Sequence, residues 1–208
     1  TVLVSKVNST ESWTLVYKVN NGSSKTTTGI GSGQFSFNIG ALNTEGANGV
    51  RLVSITNTGS SPNCTSALTD SVTINVDSTS VAGTVSGTSI TCKGSGGTLT
   101  VSGHVGSVVK WQYSTDGITY FDIANTSSTY TFTSLNAKTW FRVVVKSGVC
   151  PEAVSTAYVV DIQELPTVTI SNPNQTICDG ESTTLTLVIG NLTSTDTWTV
   201  TYKENGTT

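Results

Sequence analysis

Four cysteines, one histidine and a scatter of carboxylates are the residues of this chain with types suited to chemistry. Cys64, Cys92, Cys150 and Cys178 are widely spaced, with no CxxC pair of the kind that supplies zinc ligands. Disulfide formation fits the spacing better and implies an oxidising, extracytoplasmic setting. A Ser-His-Asp or Cys-His arrangement would have to use His104, which lies in the Gly/Ser-flanked stretch "SGHVGS" and reads as a loop residue. Asp116 falls in a turn, Glu152 follows a cysteine, and Asp161 and Glu164 sit at a junction, so no two carboxylates are marked as facing each other across a cleft. Asp179 and Glu181 in "CDGES", with the junction acids, offer oxygens to Ca²⁺ but lack a DxDxDG-like run. The expectation is therefore no catalytic residue, no metal site and no cofactor. Trp13, Trp111 and Trp198 could make a sugar-stacking platform, yet their equivalent places on alternating stretches mark them as core. Trp140 and Phe141 in "KTWFRVVV" point to opposite faces, so one of them is expected to be exposed.

Composition narrows the class further. Charged residues make up 11% of the 208, with a net charge of -3, which excludes the clustered Lys/Arg of a nucleic-acid footprint. Ser, Thr, Asn and Gly alternate with Val/Ile/Leu and aromatic runs, a mixture that favours strands joined by polar turns over helices. No apolar run approaches the roughly 20 residues of a membrane span, and no signal peptide is visible. Met is absent, so a mature or excerpted piece is expected.

The elements that position these residues emerge from internal repetition. "CKGSGGTLTV" from Cys92 and "CDGESTTLTL" from Cys178 align without a gap, and each leads to a Trp-bearing stretch, at Trp111 and Trp198. "STYTFTSLNAKTWFRVVVKSGVCPEA" parallels "GQFSFNIGALNTEGANGVRLVSITNTGSSPNC": an aromatic-alternating strand, "LN", a strand with Arg142 or Arg51, then a cysteine. The units close with "SVTINVDSTS" and "AYVVDIQELP". Thr1–Asn21 and Thr186–Gly206 share eight identical positions of twenty-one, as one period of 185 residues requires. An alternating array explains this return: an outer-type unit, formed by 164–208 continued by the equivalent of 1–77, alternates with a middle-type unit.

The expected organisation is a repeat lacking its first strands at 1–77, a complete repeat at 78–163, and the N-terminal half of a third at 164–208. In "SWTLVYKV", Trp13, Leu15 and Tyr17 share one face of a half-buried strand, as do Val109, Trp111 and Tyr113 in "VVKWQYS". Asp116-Gly117 then suits a tight hairpin. About seven short strands per unit argue for an all-β fold of antiparallel sandwiches. By the order of elements, Cys92 pairs with Cys150, a closure that contributes about 4 kcal/mol in the loop-entropy picture. Cys64 and Cys178 are left unpaired within the chain.

The stretch "VVKWQYSTDGITYFDIANTSSTYTFTSLNAKTWFRVVVKSGVCPEAVSTAYVVDI" resembles the repeats of very large bacterial surface adhesins, the SprB-type gliding-motility adhesins exported by the type IX secretion system. The resemblance is strong over 79–163 and looser elsewhere. It implies tandem immunoglobulin-like β-sandwich domains in an extended array, forming an extracellular cell-surface filament that contacts a substratum. The implied partners are neighbouring repeats and surface polysaccharide or the substratum, with no nucleic acid and no membrane span. The family carries no catalytic residues. Unlike antibody-type domains, the first cysteine precedes its TLT strand, so a bridge is expected to clamp one end of the sandwich. The alternative is a non-catalytic polysaccharide-binding or spacer module of a secreted surface enzyme, which needs exposed aromatic rings.

Overall fold

The computed structural model describes residues 2–4, 9–193 and 195–202; the last residues of the repeated phrase, 203–206, lie outside them. About 49% of the chain is strand, arranged in several largely antiparallel sheets without a helix among the described residues. None of the described residues forms a helix long and apolar enough to cross a membrane. The chain divides into two compact units: Thr1–Ser80 with Lys146–Glu152, and Val81–Val145 with Ala153–Thr208. Residues 164–208 thus group with the second unit.

The first unit contains β1 (Val2–Val4), β2 (Ser12–Val19), β3 (Lys25–Ile30), β4 (Gly33–Phe35), β5 (Gly46–Asn57), β6 (Cys64–Ala67) and β7 (Ser71–Val76). The Val/Thr/Tyr alternation of β2 buries Trp13, Leu15 and Tyr17, as expected, while Thr14, Val16 and Lys18 stay half-buried. Asn20 and Asn21 adopt positive φ (49° and 58°), and Gly22 N–H donates to Val19 O at 2.9 Å. Two consecutive left-handed residues close a tight turn within the longer β2–β3 connection, and asparagine tolerates that region. The 12-residue β5 pairs with β2 on one side and, in succession, with β7 and β6 on the other. The β1–β4 pair supplies Val4, Val2 and Phe35 to a core containing Trp13, Leu15, Leu52 and Ile55. Trp13 meets Phe35 edge-on at 4.9 Å and donates its indole N–H to Gly31 O at 2.9 Å.

Gly29 lies opposite Trp13 in the β2–β3 ladder, and a Cβ there would fall 2.1 Å from the indole ring. The ring is fixed by packing and by its hydrogen bond, so it cannot step aside cheaply. Gly29→Ala is expected to destabilise the first unit by about 1–3 kcal/mol, the usual cost of overpacking. Urea denaturation followed by Trp13 fluorescence reads this directly, and an unchanged midpoint would contradict the packing described.

The second unit holds β8 (Thr84–Gly87), β9 (Ile90–Cys92), β10 (Gly97–Ser102), β11 (Ser107–Ser114), β12 (Phe121–Ile123), β13 (Thr129–Phe132), β14 (Thr139–Lys146), β15 (Ala153–Val154) and β16 (Tyr158–Gln163). One sheet runs β13-β10-β8; the other runs β12-β11-β14-β16-β9, with β15 beside β14. Val85, Leu99, Val101 and Phe132 from the first meet Val108, Trp111, Phe141, Val143, Val145 and Val160 from the second in one core, a sandwich-like arrangement. Trp111 is fully buried and donates to Ser127 O at 2.9 Å. Tyr158 Oη donates to Gly87 O at 2.8 Å and ties the two sheets together.

One ladder breaks the antiparallel rule. β9 runs parallel to β16, placing Cys92 opposite Gln163. A further antiparallel pair, β17 (Thr167–Ile170) with β18 (Leu187–Gly190), brackets Cys178 as β8 and β10 bracket Cys92.

Candidate functional site

All four cysteines are free thiols in this structure. The expected Cys92–Cys150 bridge is not formed, and the sheet register explains why. Thr139, at the start of β14, pairs with Val160; Cys92 is level with Gln163, three residues beyond that rung. Cys150 lies beyond Lys146, at the opposite end of β14. Eight strand residues span roughly 26 Å, whereas a disulfide needs Cα atoms within about 7 Å. Cys150 instead directs its Sγ at Asp77 O, 3.6 Å away, and Val149 N–H of the same turn donates to Asp77 Oδ2 at 2.9 Å. Cys64 and Cys178 are exposed.

The tryptophans divide. Trp13 and Trp111 are 2% and 0% exposed, as core residues should be. Trp198, expected beside them, is 58% exposed. The described residues of 191–202 form no strand, and Trp198 lines an open apolar groove of about 680 Å³ with Val168, Ile170, Leu185, Leu187 and Tyr202. Of the adjacent pair, Phe141 is buried and Trp140 is half-buried beside Lys138 and the Gly117 turn. A second groove, about 1010 Å³, opens in the first unit and is lined by Leu15, Phe37, Val50, Leu52, Ile55 and Val72 among others. These are residues of the unit's own core face, left open on one side.

The richest polar cluster lies on the outer face of β11, β12 and β14. Gln112 sits opposite Asp122 and donates to it at 2.7 Å; Lys110 reaches the other carboxylate oxygen at 2.7 Å. Arg142 Nε donates to Gln112 Oε1 at 2.7 Å, and its guanidinium lies 3.6 Å over the Tyr120 ring. On the next rung, which faces the other side of the sheet, Tyr113 and Phe121 form a tilted pair at 5.6 Å, both partly exposed. The hydrogen bond from Gln112 and the contact with Lys110 hold Asp122 below its ordinary range. Lys110 and Asp122 pair with each other, and Arg142 is held by the Gln112 amide and the Tyr120 ring, so the strip is a connected polar network across three strands.

The sequence-marked groups are not brought together. His104 is half-buried between the bend at Gly103 and the Val81↔Val105 bridge. Asp161 pairs with Lys138 at 3.2 Å and Glu164 with Lys93 at 3.0 Å. Glu152, Asp179 and Glu181 are exposed, and among the described residues no three His, Cys, Asp or Glu side chains gather as metal ligands do.

Asp116 has a structural task. Gly117 takes φ of 75° in the β11–β12 turn, and Asp116 Oδ1 accepts from Ile118 N–H, Thr119 N–H and Ser114 Oγ–H at 2.7–2.8 Å. These bonds, the Ile118 amide first, hold its carboxyl far below the usual carboxylate range. A folded-state pKa below the unfolded value of about 3.9 stabilises the turn above that pH, and the stabilisation fades as pH falls from about 4 downward. Asp116→Asn keeps the Oδ1 acceptor but loses the titration. Its melting temperature is expected to lie below that of the parent at pH 7 and to converge with it toward pH 2. Parallel thermal melts check this, and a constant gap at all pH values would contradict it.

Residues 81–164, fewer than half of the chain, match a family described as a domain of unknown function, DUF8696. No curated protein matches the chain.

Proposed function

We propose that the chain is a structural, non-catalytic repeat segment of a long extracellular filament, adhesive in the manner of gliding-motility surface proteins, built from tandem immunoglobulin-like sandwiches. The observation that supports it best is recurrence. In both units a buried Trp on an alternating strand donates its indole N–H, at 2.9 Å, to a carbonyl just ahead of an aromatic strand. Phe35 or Tyr130 of that strand then packs against the indole. The rungs Val50↔Val72 and Phe141↔Tyr158 occupy matching places in the two ladders. A chain that spends its sequence on repeating one core supplies length and stiffness.

The groove of the first unit fits the same reading. In the second unit, β8 and β10 cover the corresponding face; their sequence counterparts are residues 170–188, of which 186–188 recur as 1–3 of the next period. In an alternating array each such segment closes the unit that follows it. Export through the type IX system and contact with a substratum rest on the family resemblance. Antibodies raised against residues 81–164 test the reading: intact, unpermeabilised cells should be labelled along surface filaments. Label appearing after lysis alone would overturn it.

A polysaccharide-binding spacer is the second reading, supported by the exposed Tyr113–Phe121 pair. Under it, Tyr113→Ala with Phe121→Ala abolishes retention on immobilised polysaccharide while melting is unchanged.

A further inference from the structure

Cys92 and Cys150 sit at opposite ends of their repeat, and each lies where the chain passes to a neighbour. Cys92 is level with Gln163, the last residue of β16; Lys93 N–H donates to Gln163 O at 2.9 Å and Lys93 pairs with Glu164. It therefore stands beside the exit. Cys150 stands beside the entry, its Sγ 3.6 Å from Asp77 O, within the first compact unit.

Asp77 and Gln163 are the same residue in repeat terms. The closing stretches "SVTINVDSTS" and "AYVVDIQELP" align without a gap and place Asp77 over Gln163. The ladders agree independently: Val72 pairs with Val50 and Tyr158 with Phe141, and each stands five residues before Asp77 or Gln163. A first-position cysteine held as Cys92 is held would thus lie one strand spacing, about 4.8 Å, from Asp77. Cys150 Sγ already touches that carbonyl. Both cysteines thus meet the chain at the same residue, Asp77, the close approach that a disulfide requires.

We infer that the disulfides of the array join successive repeats: a second-position cysteine such as Cys150 bridges to the first-position cysteine of the repeat before it. The inference rests on the tandem-array reading. Two thiols form one Sγ–Sγ bond, and the two electrons and two protons pass to a disulfide donor, which leaves as a dithiol or a pair of thiols. Such a bond would resist separation of neighbouring repeats under load.

The test uses a chain of two periods, residues 1–185 joined directly to residues 1–208, which restores the natural spacing. Oxidised glutathione serves as the disulfide donor, and non-reducing digestion with mass spectrometry reads the pairing. The expected product joins Cys178 of the first copy to Cys150 of the second. Cys178→Ser in the first copy should leave that Cys150 open to maleimide while folding is unchanged. A Cys92–Cys150 peptide within one copy, or a second-copy Cys150 that stays reactive after oxidation of the unmutated chain, would overturn the inference. Sedimentation of the reduced chain separates the two ideas: an elongated folded monomer that forms no cross-repeat bridge on oxidation would refute the clamp and leave the array standing.

Discussion

Trp111→Ala is expected to remove about 3–5 kcal/mol of stability, the range for deleting a large buried aromatic. For a sandwich of this size that is a large share of the total, since domains are commonly stable by only about 5–15 kcal/mol. The indole is completely buried, and its N–H satisfies Ser127 O at 2.9 Å. Around it the rings form a chain, with Tyr130 at 5.8 Å, Phe141 5.7 Å from Tyr130, and Phe132 stacked 5.6 Å from Phe141. Removal opens a cavity between the two sheets and strands an inward carbonyl. Trp111→Phe refills most of the volume but leaves that carbonyl unpaired, so it should fall between the parent and alanine. His104→Ala should stay within about 0.5 kcal/mol, as surface-like changes do. Urea midpoints order the three variants, and a Trp111→Ala loss under about 1 kcal/mol would mean that the core does not depend on the indole.

Placing residues 164–185 directly ahead of Thr1 is expected to stabilise the first unit by several kcal/mol. The groove there is bounded by Leu15, Val50, Leu52 and Ile55, and Val72 beside it is largely exposed. Each aliphatic side chain taken fully from water contributes about 1.5–3 kcal/mol, set against the cost of ordering the added strand. A net gain of about 2–3 kcal/mol would raise the melting temperature by on the order of 10 °C. The same insert with Val168, Ile170 and Leu185 changed to Ser should give no gain, which separates groove filling from a mere extension of the chain. Calorimetry that resolves the two units checks both.

Much of this fold was legible in the sequence. The alternation through Trp13, Leu15 and Tyr17, the Asp116-Gly117 turn and the all-β class follow from local pattern, because a half-buried strand must show one face to the core. The second Trp strand was read less well. Val109 and Tyr113 are each 37% exposed while Val108 is buried, since β11 changes phase between Val108 and Trp111. Trp198 shows the limit of arguing by equivalence: a position is core only when the opposing sheet is there to cover it. The cysteine pairing failed for another reason. Order along a repeat does not reveal that β9 runs parallel to β16, and that one crossing carries Cys92 to the far end from Cys150. The outer strip of Lys110, Gln112, Asp122 and Arg142 was missed. Its signal was present as polar residues at alternate positions of neighbouring strands, but the pairing that joins them is not local.

The central claim is that each outer-type unit is closed by the strands preceding it in an alternating array. A crystal structure of the two-period chain tests it most directly. Residues 167–185 of the first copy are expected in the groove of the second copy, in ladder contact with β4 and with their apolar side chains on Leu15 and Leu52. That groove left open, with the same residues packed elsewhere, would contradict it.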